Sequence, residues 1–283
     1  MKKMFALILA VLMVAALLAG CGSSTAETKA PETTAAPASA AAAETTAAAA
    51  ETEAAAPAFT TIEAGKLIMS TNAAFPPYEM VADDGSFEGI DVEIAGAVAK
   101  KLGLELVVDD MDFDAALLAV QQEKSDIVMA GVTVNEDRKM VMNFSDTYSK
   151  GVQVVIVKEG SDVTLDNLGD QMIGTQRGTT GYIYASGDYG EDHVTAYDNG
   201  ASAVQALANG QVDCVIIDSA PAEAFVAANP GLTILDTEYT VEDYAIGLNK
   251  DNTALLEAIN SALKELTEDG TIPAIVEKYI PTK

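Results

Sequence analysis

The sequence predicts an α/β fold in two lobes, joined by two hinge strands, with a ligand cleft between them. Three observations carry this. Strand-like and helix-like segments alternate from Lys66 onward, as in sheets built from β-α-β units. The pattern occurs twice, LLAVQQEKSDIVMAG in the first half and VQALANGQVDCVIID in the second: apolar helix, polar break, Asp, buried strand. Finally, a first lobe of about 90 residues is small for its sheet, so the helical tail is expected to return to it, and the chain then crosses between lobes twice.

KLIMST reads as a buried strand, and NAAFPPYEM as an irregular loop in which Pro76 and Pro77 forbid a continuous ladder. After a turn at Asp84-Gly85, Ile94, Val98 and Leu102 recur at helical spacing until Gly103. LELVVDDM is the next strand, FDAALLAVQQEK a helix, and SDIVMAGVTV a strand ending at Asn135, which caps a short helix. In the second unit GVQVVIVKEG, Gln171 to Thr175, HVTAYD and VDCVIID read as strands, and GYIYAS, NGASAVQALANG and SAPAEAFVAANP as helices. The sheet is expected to be largely parallel. The tail offers a strand and two helices, with Leu255, Leu256, Ile259, Leu263 and Leu266 as an apolar face that Gly270 stops.

Ahead of the fold, Lys2 and Lys3, an apolar run and small residues form the three-part pattern of a secretory signal over residues 1–20. A lone transmembrane anchor is the alternative, but the run falls short of about 20 apolar residues. Residues 21–59 hold 17 Ala, no aliphatic side chain larger than alanine and one aromatic, Phe59, at the very end, so no apolar stripe exists to pack; a disordered tether is expected. With 43 Asp plus Glu against 16 Lys plus Arg, the net charge of −27 excludes phosphate backbones as partners. Beyond Cys21 there is one cysteine, Cys214, expected as buried filler, and one histidine, His193, expected at the surface; neither builds a metal or redox site, and no cofactor is expected.

Several residues invite a chemical reading. Arg138 follows Asn135 by three, so it is expected in the first turn of a helix, where a cation is electrostatically misplaced unless an anion joins it. Gly178, Thr179 and Thr180 precede a helix, with a threonine cap as the plain alternative. Asp218 ends an apolar strand, at the sheet edge where α/β proteins bind ligands, although it stands equally well to cap the next helix.

NAAFPPYEM, GIDVEIAGAVAKKLG, AGVTVNEDRKMVMNFSDTY and GQVDCVIID, in this order and spacing, resemble the polar amino-acid-binding group of extracellular solute-binding proteins of ABC importers. The resemblance spans Thr60 to Ile280 and implies the two-lobed periplasmic-binding-protein-like fold, divided as 60–152 (lobe 1), 153–243 (lobe 2) and 244–283 (return to lobe 1). LAGC resembles a bacterial lipobox, which implies cleavage before Cys21, lipidation of its sulfur and an acyl group such as palmitate on the new amino end, hence a lipid-anchored protein at the extracytoplasmic face. By resemblance Arg138 grips a ligand α-carboxylate beside Thr133, Ala130 and Gly131, Thr180 faces the ligand, and Asp218 receives the α-ammonium; the free N–H groups of Gly178, Thr179 and Thr180 at their helix start are placed to close over the same carboxylate. Phe75 and Phe113 match aromatic walls of the side-chain pocket, with core packing as the alternative; Tyr78 reads as structural support. Asn72 departs from the acidic residue of many relatives, and Gln176 is likewise neutral, which points to an uncharged polar side chain, glutamine first. The expected partners are a free L-amino acid and ABC permease subunits, with the protein a monomer. The alternatives are a prephenate or arogenate dehydratase-like enzyme on the same fold, or an amino-acid-sensing ectodomain.

Overall fold

In the computed structural model, residues 59–236 and 238–281 are described. The signal segment, Cys21 and nearly all of the tether lie outside them. Among the described residues no helix is long and apolar enough to cross a membrane.

The first stretch of chain runs β1 (Lys66–Thr71), β2 (Ala74–Phe75), β3 (Glu79–Val81), β4 (Phe87–Glu88), α1 (Ile90–Leu102), β5 (Glu105–Asp110), α2 (Phe113–Gln121), β6 (Ile127–Val128), α3 (Glu136–Val141) and β7 (Met142–Lys158). The second contains β8 (Ile173–Gln176), α4 (Thr180–Tyr189), β9 (Val194–Tyr197), α5 (Gly200–Ala208), β10 (Cys214–Asp218), α6 (Ser219–Ala228) and β11 (Leu232–Ile234). β12 (Thr240–Asn249), α7 (Thr253–Glu268) and α8 (Thr271–Tyr279) complete the chain.

The sheet order β5-β1-β6-β12-β7-β10-β8-β9 explains the two lobes. β1 pairs in parallel with β5 and β6 on one side, and β8 in parallel with β10 and β9 on the other. Between these parallel flanks, β7 and β12 run antiparallel from Thr240↔Gln153 to Asn249↔Met142, with irregular register at Tyr244–Gly247. The expectation of a largely parallel sheet therefore holds for each flank and fails at the centre, where the two crossing strands meet head to tail. SDIVMAGVTV also forms less strand than expected: only Ile127–Val128 pairs regularly, because the chain turns at Gly131 (φ 55) to enter the cleft. β7 is longer than its apolar run, since the polar MNFSDTYSK pairs with β12 as well.

Burial follows the two-sided character of the strands. On β7, Val154 and Ile156 enter one cluster while Val155 and Val157 enter another on the opposite face. β10 repeats this with Val215 and Ile217 against Cys214 and Ile216. In the first lobe, Ile94 and Val98 of α1 share a core with Leu255, Ile259, Leu263 and Leu266 of α7, so the tail helix packs on α1. At the surface Lys101 to Glu265 at 3.1 Å ties α1 to α7, and Lys278 to Glu93 ties α8 to α1.

Gly151 of β7 is required by close approach: a Cβ there would stand 2.3 Å from the Tyr244 hydroxyl and 2.6 Å from Asp218 Oδ1. Gly151→Ala should therefore destabilise the protein by about 1–3 kcal/mol, the usual cost of overpacking a filled site. Gly187 is exposed within α4 with nothing within 4 Å, so Gly187→Ala should stabilise by roughly 1 kcal/mol through helix propensity. Urea denaturation of the two variants checks both signs.

Candidate functional site

The carboxyl ends of the strands converge on one cleft between the lobes. β1 delivers Asn72, the segment after β6 delivers Ala130, Gly131 and Thr133, β8 delivers Gln176 with Thr179 and Thr180 just beyond, and β10 delivers Asp218. Phe75 comes from β2, Phe113 from the start of α2 and Arg138 from α3. All eleven residues expected at a ligand site thus line a single cleft of about 310 Å³, mouth included. Cys21 lies outside the described residues.

Arg138 is only 7% exposed. Its guanidinium donates from Nη1 to the Thr133 carbonyl at 2.8 Å and from Nη2 to the Gly178 carbonyl at 3.2 Å, and stands 5.4 Å from the centre of the Phe113 ring. None of the ion pairs among the described residues involves it. Burial lowers its pKa, while Glu242 and Asp218 oppose that shift through space. The expectation about its helix needs correcting. Asn135 does cap α3, accepting from the Arg138 N–H at 2.8 Å, but α3 has six residues and Arg138 lies in its first and last turns alike. The helix end therefore gives no electrostatic reason for an anion; the buried, carbonyl-bound but charge-unpaired guanidinium does.

Asp218 holds the N-cap position of α6 yet makes no capping bond, so the capping alternative fails. Its Oδ2 accepts from Gln153 Nε2 at 2.8 Å and its Oδ1 from the Tyr244 hydroxyl. Burial, then the nearby Glu242 charge, pushes its pKa up to about 7. Thr179 does cap α4 through Tyr182 N–H, while Thr180 is left to face the cleft. Phe75 stacks on Tyr78 at 5.9 Å and lies over Gly131, where a Cβ would come within 2.9 Å of the ring.

Three hydrogen bonds cross the cleft: Arg138 to Gly178, Gln176 Nε2 to Asn72 Oδ1 at 2.9 Å, and Thr133 with Thr180 at 3.4 Å. The lobes are closed on each other. Gly178 (φ 75) allows this, because a Cβ would come within 3.2 Å of Asp114 on the facing lobe.

Sequence reasoning missed four polar groups. Glu79 lines the cleft and is fully buried; burial and the neighbouring Asp91 carboxylate raise its pKa well above the usual range. Asp91, raised to about 6 by burial, accepts the Gly131 N–H at 2.9 Å and so fixes the loop between β6 and Arg138. Gln153 and Glu242 sit on the hinge strands behind Thr133 and Asp218. A lone Gln within the apolar GVQVVIV was the available signal.

Asp91 and Asp218 carry raised pKa values in the folded state, so their protonated forms stabilise it; that stability is present below about pH 4 and is lost as pH rises towards 6–7. The protein alone should melt at a lower temperature at pH 8 than at pH 5. Calorimetric melting across this window checks the sign.

A profile of the family described as bacterial extracellular solute-binding proteins, family 3, matches residues 67–282. The L-cystine-binding protein TcyJ of Escherichia coli is 30% identical over 221 residues, 77% of this chain and 83% of that protein. The arginine-binding extracellular protein ArtP of Bacillus subtilis is 32% identical over 224 residues, 76% and 86% of the two chains. Among solved structures, an ancestral arginine-binding protein bound to glutamine superposes with a TM-score of 0.74 at 38% identity, covering 77% of this chain and 99% of the other. With the two-lobed fold, the closed cleft and a family match over most of its length, this chain belongs to the family 3 bacterial extracellular solute-binding proteins.

Proposed function

We propose that the protein captures a free polar L-amino acid outside the cytoplasm and delivers it to an ABC permease. The observation that carries this reading is the pair of buried charges on opposite walls of one closed cleft, Arg138 without an ionic partner and Asp218 poised between its charged and neutral forms. An α-carboxylate satisfies the first, a planar fork matched to a carboxylate, and an α-ammonium satisfies the second. Membership in a solute-binding family makes this a binding protein, and the dehydratase alternative gains nothing from the cleft.

Glutamine is the ligand this reading favours. Asn72 and Gln176 already exchange an amide hydrogen bond, and a ligand carboxamide inserts into such a pair by trading equivalent bonds. Burial and the Asp91 charge favour the neutral form of Glu79, which offers a cation no full charge. One face of Phe113 is engaged by Arg138, which leaves less aromatic surface for a ligand guanidinium. Solved structures of an ancestral arginine-binding protein hold glutamine in one case and arginine in another, so that likeness admits glutamine without favouring it, and ArtP and TcyJ bear the names of arginine and cystine. The remaining parts of the reading are lipidation at Cys21 after a signal over residues 1–20, residues 21–59 as a spacer to the membrane, and a monomeric protein without a cofactor.

Arg138→Ala and Asp218→Ala should each weaken amino-acid binding by about 2–5 kcal/mol, because each strands one ligand charge in the cleft. Calorimetric titration with circular dichroism as the folding control reads this; affinity retained within threefold counts against the assignment. In competition among glutamine, arginine, histidine and glutamate, glutamine should bind tightest, and Asn72→Asp should move preference towards cations. Arginine winning by tenfold in the unaltered protein overturns the glutamine choice and leaves amino-acid capture standing.

A further inference from the structure

Behind the cleft lining, which already holds Asp218 and Glu79, the hinge carries a further buried acidic group. Glu242 of β12 is 6% exposed. Its Oε2 accepts from Thr133 Oγ1 at 3.1 Å and from Gln153 Nε2 at 2.9 Å, while its Oε1 is buried with no hydrogen-bond partner. The same Gln153 nitrogen donates to Asp218 at 2.8 Å, so one amide forks between two carboxylates and orders both. A bonded chain then runs from lobe 1 through both hinge strands to lobe 2: Thr133, Glu242, Gln153, Asp218.

Proton counting gives this chain a direction. Thr133 has one hydroxyl proton, and an ionised carboxylate can only accept. The proton therefore goes to Glu242, and Thr133 presents lone pairs to the cleft, where the Thr180 hydroxyl lies 3.4 Å away. A ligand carboxylate gains nothing from an acceptor. An ammonium does, since it has three N–H groups to place, while both oxygens of Asp218 already accept one bond each.

We propose that Glu242 is a positioning residue for the ligand α-ammonium: it turns the Thr133 hydroxyl into an acceptor and adds a second negative charge beside Asp218. This rests on the amino-acid reading above and reassigns Thr133 from the carboxylate end of the ligand to the ammonium end. The raised pKa of Asp218 agrees, because Glu242 is its main charged cause and an arriving cation relieves that repulsion.

Glu242→Gln tests it, since the amide oxygen can still accept from Thr133 and Gln153 and only the charge is lost. The full chain is titrated calorimetrically with L-glutamine and L-arginine, and by NMR up to millimolar concentration with the analogue of each that lacks the α-amino group. Glu242→Gln should weaken the better amino acid at least tenfold and leave its deamino analogue within twofold, and Glu242→Asp, which restores the charge, should regain part of the loss. Equal weakening of amino acid and analogue would reduce Glu242 to a hinge brace and overturn the proposal, as would no weakening of either. If the unaltered chain binds none of the twenty amino acids nor cystine, the amino-acid reading falls and takes this inference with it; if it binds another of them, that amino acid and its deamino analogue replace the pair used. If it binds and Glu242→Gln changes nothing, this inference alone falls.

Discussion

A charged group withdrawn from water needs a partner, and the two walls of this cleft each withdraw one. Arg138 keeps its charge although only backbone carbonyls bond it, and Asp218 is held near the point of losing its charge. Neither can satisfy the other by salt-bridge contact, because they project from opposite lobes and none of the described ion pairs joins them. A molecule with a carboxylate and an ammonium on one carbon offsets both desolvation costs at once. On the proposed reading, closure and recognition are one event.

The hinge makes that event possible. β7 and β12 form the centre of the sheet, so the crossing strands are also its most extensively paired ribbon. Behind the cleft lining, Gly151 and Gln153 on one strand and Glu242 and Tyr244 on the other all meet at Asp218 or its bonded neighbours. The bonds that cross the cleft itself are few, and two of the three join neutral side chains, worth about 1 kcal/mol net each. Such weak bonds bias the lobes towards closing without locking them.

Much of this was legible in the sequence where periodicity or punctuation dominates. The α7 stripe of Leu255, Ile259, Leu263 and Leu266 and the Asn135 cap emerged as read, and residues at strand ends gathered on one cleft as an α/β sheet requires. The failures share a cause. MNFSDTYSK lacks an apolar pattern because its strand is half hinge, and its pairing with β12 spans about 100 residues of sequence. Gln153, Glu242 and Tyr244 become site neighbours only through that register, so no local spacing announces Glu242 and Tyr244, and Gln153 is marked only by its isolation in an apolar run. Arg138 was singled out for a helix-end anomaly that a six-residue helix cannot sustain; its burial was the better reason, and burial is not a local property.

The claim that one zwitterion closes the lobes is tested most directly by an interlobe distance, measured with spin labels on the outer surfaces of the two lobes. Added L-amino acid should shift the distance distribution to the short, closed spacing described here, while its deamino acid and its decarboxylated amine should each leave most molecules at the unliganded distribution. Full closure by either half-ligand, or a distribution that no amino acid alters, would contradict the account.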